Sequence, residues 1–199
     1  MTRRLDDVRR AELLDGVMRI IATRGFSDVR IAEIARELRC SAATLYKIAP
    51  SKDSLVLLAI ARWGEVTLES LEVRAQRSGT ASERARAYFR AGAESIRPLS
   101  VEFYADVARF ESTRLAWRTG VVDRYIDRFV ELVQCAEDAG EIRRVNIRLF
   151  AEMLSAIGFV TRDERVLRAS GLTSEQAVLE VDSLLWEGIR TPRTTKQVD

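Results

Sequence analysis

Apolar residues recur along this chain at the spacing of helices packed by one face. From Asp6 to Arg24 the apolar positions Leu13, Leu14, Val17, Ile20 and Ile21 form one stripe, and Gly25 supplies a C-terminal stop, so a first helix is predicted there. Ile31, Ile34, Ala35 and Leu38 follow at i, i+3, i+4, i+7, the signature of a short packed helix. Arg39 and Cys40 interrupt the stripe. Ser41 is a natural N-cap for a third helix from Ala42, with Leu45 inward and Ala42, Ala43, Thr44 and Lys47 outward. A long fourth helix is expected from Ser51–Asp53 to Gln76, with Asp53 favourably placed near its N-terminus. Thr80-Ala-Ser-Glu83 and Thr173-Ser-Glu-Gln176 are capping boxes that open two later helices. Between them the pattern predicts helices from Ala81 to a stop at Arg97-Pro98, over Ser100 to Phe110, over Ser112 to Ala139 before Gly140, and over Asn146 to Ala169 before Gly171; the last helix ends near Arg190.

Composition narrows the class. With 47% hydrophobic residues in 199, the chain can bury a substantial core, and three Pro with ten Gly favour long helices over a turn-rich sheet protein. The N-terminus MTRRLDDVRR has no apolar signal core, and the charge-free run from Met153 to Thr161 is too short to span a bilayer, so a cytoplasmic protein without membrane attachment is expected. There is no His, which removes His-based triads and His metal sites, and two lone cysteines, Cys40 and Cys135, make neither a zinc site nor a disulfide framework. No paired carboxylates stand out as catalytic and no Gly-rich phosphate cradle is present, so the chain is not expected to be an enzyme and no cofactor or metal is predicted. Charge is uneven: residues 1–52 carry 11 basic and 7 acidic side chains, against 21 and 23 in the remainder. A basic N-terminal part suits a molecule that holds DNA by one end.

The stretch from Arg30 to Leu55, RIAEIARELRCSAATLYKIAPSKDSL, carries the most specific signal. A helix, a tight turn and a second short helix with small outward residues fit the major groove of duplex DNA. Gly25-Phe26, Ile34-Ala35, Cys40-Ser41, Leu45-Tyr46 and Ser51-Lys52-Asp53-Ser54-Leu55, in this order and spacing, resemble the DNA-binding domain of the TetR family of transcriptional regulators over roughly residues 9–60. Three positions depart from that family's pattern. Arg39 stands where a turn Gly is usual, Arg30 where a Thr is usual, and Ala49 where an aromatic is usual.

The resemblance implies an all-α protein of about nine helices. Residues 1–52 would be a three-helix helix-turn-helix DNA-binding domain and residues 53–199 a C-terminal helical domain for ligand binding and dimerisation. It implies that Lys52 and Tyr46 contact phosphates, with Arg30 and Thr44 the next candidates. Sequence reading would fall to Lys47, able to address guanine O6 and N7, and to Ala42 and Ala43 against thymine methyls. Among the aromatics of the central helices, Phe89, Tyr104, Trp117 and Phe129 are the candidate lining of a pocket for a mostly apolar or aromatic small-molecule effector. Met153, Ile157, Val181, Leu185 and Ile189, on two long apolar stripes, are the candidate homodimer interface, and a twofold dimer explains how two recognition helices reach successive grooves of a palindromic operator. The function expected is a repressor released from that operator by its effector; the alternative is a helical small-molecule-binding protein that has lost specific DNA binding.

Overall fold

The protein is described by a computed structural model covering residues 2–161 and 163–189. Its regular structure is helical, with no strand among the described residues. The order is α1 (Thr2–Arg24), α2 (Ile31–Glu37), α3 (Ala42–Ile48), α4 (Lys52–Gln76), α5 (Ala81–Ser95), α6 (Val101–Arg109), α7 (Glu111–Trp117), a π-helical stretch (Arg118–Asp123), α8 (Arg124–Asp138), α9 (Ile147–Val160), α10 (Glu164–Ser170) and α11 (Ser174–Ile189). Because α7, the π-helical stretch and α8 follow one another without a loop, these segments make ten helices among the described residues.

The tenth arises where the sequence pattern predicts one helix over Asn146–Ala169. Asp163 interrupts it: its carboxylate accepts from the backbone N–H groups of Arg165 at 2.9 Å and Val166 at 3.2 Å, so it caps a new helix. Just before it, the Thr161 hydroxyl donates to the Ile157 carbonyl at 2.9 Å, completing the last turn of α9. An Asp that can satisfy two orphan donors competes well with helix continuation.

The chain forms two compact units. The first, Met1–Glu69 with Ser95–Arg124, holds α1 to α3, most of α4, α6, α7 and the π-helical stretch. Its core gathers Val17, Ile21, Ile34, Leu45, Leu55, Ile60 and Phe103, each 1% exposed or less. All five positions predicted to face inward on α1 are buried. Arg62 of α4 clasps Asp15 of α1 through two hydrogen bonds of 2.7 and 2.9 Å, and the Ser100 N–H donates to the Ala22 carbonyl at 2.7 Å, tying the start of α6 to the end of α1.

In the second unit, Ser70–Glu94 with Tyr125–Asp199, the centre is aromatic. Phe129, fully buried, lies 5.6 to 6.5 Å from the rings of Tyr88, Phe89, Tyr125 and Phe150. Asp182 of α11, 1% exposed, accepts from Arg86 at 2.8 Å and Arg90 at 2.7 Å, which pins α11 to α5. The capping box at Thr80 and Glu83 forms as predicted, with reciprocal bonds of 3.0 and 3.2 Å. Glu141 adds to the same helix start by accepting from Ser82 N–H at 2.7 Å and Ala81 N–H at 3.2 Å, and these bonds, led by Ser82, hold its carboxyl at about 2.

Arg39 is the one described non-glycine residue with a left-handed backbone, at φ +52°. The turn between α2 and α3 demands that conformation, since it lets the Cys40 N–H reach the Ala35 carbonyl at 2.9 Å. A side chain there costs energy that Gly avoids, partly offset by the greater freedom of Gly in the unfolded chain. Arg39→Gly is therefore expected to stabilise the protein by about 0.5 to 1 kcal/mol, read as a higher urea midpoint at unchanged m-value. An unchanged or lower midpoint would mean that Arg39 makes a compensating interaction.

Candidate nucleic-acid interface

Helix α3 is built to be held from behind and read from the front. Ser41 caps it, its Oγ accepting from the Thr44 N–H at 3.1 Å and lying 2.9 Å from the Thr44 hydroxyl. Leu45, 1% exposed, anchors it in the core beside Ile34 and Ala35 of α2. Ala49, where a family aromatic is usual, is 3% exposed and closes the core with a small side chain. The outward face carries Ala43, Tyr46 and Lys47, all exposed, with Ala42 and Thr44 half-buried at its edge. This face has two methyl-sized residues, one phenol and one ammonium. It lets the helix backbone come close to a groove floor while placing one hydroxyl donor and one cation at its rim.

Arg30, immediately before α2, is exposed, as are Arg36 and Arg39, two cations not among the predicted DNA contacts. Lys52 behaves differently from the expectation of a phosphate contact. Its ammonium turns back onto the loop between α1 and α2 and donates to the carbonyls of Phe26 at 2.9 Å, Ser27 at 2.8 Å and Val29 at 3.2 Å. A lysine has three N–H donors, and all three are engaged. The same loop is gripped by Asp106 of α6, 9% exposed. Its Oδ2 accepts from the N–H of Phe26 at 2.5 Å and of Ser27 at 2.8 Å, and its Oδ1 accepts from the Ser27 hydroxyl. Burial works to raise the Asp106 carboxyl, but the hydrogen bonds from Ser27 and Phe26 outweigh it and hold the group below the usual carboxylate range. Asp106 lies 80 positions from Phe26, so no local pattern in the sequence points to it.

The four candidate effector residues fall into two aromatic groups. Tyr104 and Trp117, both half-buried, belong to the first unit, where Trp117 stacks on Trp63 at 5.3 Å and meets Phe103 and Tyr104 edge-on at 5.4 and 6.0 Å. Phe89 and Phe129 belong to the buried centre of the second. Of the candidate interface residues, Met153 is exposed and Ile157, Val181 and Leu185 are half-buried, whereas Ile189 is buried within its own chain at 5% exposure. More open apolar side chains lie on the same two helices: Leu149, Val160, Leu179 and Leu184, the last 71% exposed. Among the described residues no group of His, Cys, Asp or Glu is arranged to hold a metal ion, and no helix is long and apolar enough to cross a membrane. Cys40 is half-buried against the first core and Cys135 is exposed.

Comparison with known proteins agrees with this architecture. Residues 13–59 match the family described as bacterial regulatory proteins, tetR family, a span that holds α2, α3 and their braces. The chain is 28% identical over 165 residues to the HTH-type transcriptional regulator BetI of Brucella anthropi, covering 82% of this chain and 75% of that one. Among solved structures, it is similar to a transcriptional regulator from Saccharomonospora viridis in complex with choline, at a TM-score of 0.75 and 20% identity over 93% of this chain and 99% of the other. FadR from Bacillus subtilis in complex with stearoyl-CoA aligns at a TM-score of 0.68 and 17% identity, over 89% and 98%.

Proposed function

We propose that this chain, a transcriptional regulator of the TetR family, is a homodimeric repressor that binds a palindromic operator and is released from it by a small-molecule effector. The observation that supports DNA binding best is α3 itself: a capped helix, anchored by buried Leu45, that turns Ala43, Tyr46 and Lys47 to solvent. In this reading residues 1–52 form the DNA-binding domain. Tyr46 and Arg30 donate to phosphates, Thr44 supports them from the helix edge, and Ala42 and Ala43 allow close approach to thymine methyls. Lys47 is the side chain that discriminates bases.

Lys47→Ala is expected to relax the preference at one base pair in each half-site, costing about 1 to 3 kcal/mol there and little elsewhere. Titration against a set of single-substituted operators measures it, and a uniform loss over all of them would reassign Lys47 to the phosphate backbone.

The effector is assigned to one of the two aromatic groups, the half-buried Tyr104 and Trp117 of the first unit or the buried Phe89 and Phe129 of the second. The ligands named for two relatives of this fold, choline and stearoyl-CoA, differ in charge and size, so the class is taken from the aromatic side chains here: mostly apolar or aromatic, with aromatic faces that also attract a small organic cation. Binding shifts α4, which begins at the end of the helix-turn-helix and runs 25 residues to Gln76, and so separates the two recognition helices beyond operator spacing. Linkage tests this: an effector that weakens operator binding by some factor must itself bind more weakly by the same factor when operator is present. Screening aromatic compounds, choline and acyl-CoA for shifts in melting temperature and operator affinity identifies it. A screen in which no compound moves either would mean that the protein is not controlled by an effector of this class.

A further inference from the structure

We infer that Asp106 and Lys52 are positioning residues for DNA binding, which set the pose of the helix-turn-helix by gripping the α1–α2 loop from two sides without touching DNA. The inference rests on the DNA-binding reading above. Between the end of α1 and the start of α2, residues 25–30 have no helix to absorb their backbone donors and acceptors, and unpaired buried backbone groups are costly. Asp106 takes two of the donors, the N–H groups of Phe26 and Ser27, together with the Ser27 hydroxyl. Lys52 takes three acceptors, the carbonyls of Phe26, Ser27 and Val29. Five backbone groups of one short loop are thus held by two charged side chains, one from α6 and one from the first residue of α4.

The local sequence is shaped around this grip. Gly25 has φ +74°, and a Cβ there would lie 2.6 Å from the Asp106 Oδ2, so the glycine both turns the chain and leaves room for the carboxylate. Phe26 sits beneath, edge-on to Phe103 at 6.2 Å and tilted against Phe110 at 5.9 Å, so α6 holds the loop by packing as well as by hydrogen bonds. Arg30, the N-cap position of α2, directly follows Val29, whose carbonyl Lys52 holds. A loop free to shift would let α2 and α3 shift with it. Placement of the recognition helix within about 0.5 Å is what a groove contact needs.

The test uses the full chain and 30-base-pair duplex DNA of random sequence, titrated across a range of salt concentrations, with circular dichroism confirming that each variant is folded at the assay temperature. Asp106→Ala removes the acceptors, whereas Asp106→Asn removes the same charge but can keep its oxygen on the two N–H groups and turn its amide toward the Ser27 oxygen. Asp106→Ala is expected to weaken binding at least 10-fold while Asp106→Asn stays within about 3-fold of the wild type. If Asp106 acted only by repelling phosphate, both variants would bind more tightly and by the same factor, which would overturn its part. Lys52→Met should likewise weaken binding, with the slope of log K against log salt unchanged, because no phosphate contact is lost. A slope reduced by about 0.9, the value of one phosphate contact, would overturn the part assigned to Lys52. Should Asp106→Ala fail to fold, the Lys52→Met slope and the affinity of Ser27→Ala, expected to fall by a few-fold, decide the matter; wild-type affinity in both would overturn the inference. A wild-type protein that binds no DNA would instead overturn the DNA-binding reading itself.

Discussion

Replacing Val181 and Leu184 together by glutamate is expected to give a folded monomer whose operator binding falls to the level of its binding to random DNA. On α11, Ala177, Val181, Leu184 and Gly188 recur at i, i+4, i+7, i+11, and Leu184 is 71% exposed in the single chain. The opposite face of the same helix is already used, because Asp182, Trp186 and Ile189 are buried at 1%, 3% and 5% exposure. In the proposed dimer, the exposed stripes on α9, with Leu149, Met153 and Val160, and on α11 would pack against a second copy of the chain. Two glutamates on each protomer would meet their equivalents across a twofold axis, and like charges buried without partners are not tolerated. A dimer gains its specificity by engaging two half-sites at once, so a monomer should lose about 10³-fold or more in operator affinity while keeping its weak, salt-dependent affinity for any duplex. Sedimentation velocity and operator titration read the two consequences separately. A folded variant that still sediments as a dimer would place the interface on another face.

Phe129→Ala is expected to be the most destabilising single change in the second unit, at about 3 to 5 kcal/mol. Phe129 is 0% exposed and its ring meets four other aromatic rings, so truncation removes both transfer free energy and aromatic contacts that contribute about 0.5 to 1.5 kcal/mol each. For a chain of this length that corresponds to a melting temperature lower by about 10 °C. Chemical denaturation checks the figure, and a loss below about 1 kcal/mol would show that the surrounding rings collapse into the vacated space. An effector that restored stability to this variant by filling that space would be direct support for a ligand site at Phe129.

Much of this molecule is legible in its sequence because the signals are local. The α1 stripe ends at Gly25 with φ +74°, Ser41 caps α3 as its position implies, and the capping boxes at Thr80 and Thr173 close with the reciprocal bonds that their spacing predicts. The left-handed turn at Arg39 was readable as a demand of the motif on a residue that dislikes it. The division of α9 from α10 is marked in the sequence by the polar run TRDER at 161–165 and by the capping chemistry of Asp163, which a single helix over Asn146–Ala169 overlooks. The π-helical stretch at Arg118–Asp123 has no residue pattern that distinguishes it from α-helix. At the candidate interface, periodicity puts Ala42, Ala43, Thr44 and Lys47 outward, of which Ala42 and Thr44 are half-buried, and it says nothing of where a long flexible side chain ends. Lys52 sits at a helix start in the Ser51–Leu55 motif, and only the tertiary position of three carbonyls 23 to 26 residues earlier shows that its ammonium turns inward. The role of Asp106 depends on pairing across 80 residues and is invisible to any local reading. Likewise Ile189 continues an apolar stripe yet is buried in its own chain, because a stripe wider than one contact face serves two neighbours at once.

Footprinting of the purified protein on the DNA upstream of its own coding sequence asks whether α3 reads a palindromic site in duplex DNA. The expected result is protection of one short segment containing two inverted half-sites, centred about 10 base pairs or a multiple of a helical turn apart. Uniform, salt-sensitive coating without a protected palindrome, or no protection at all at low salt, would contradict it.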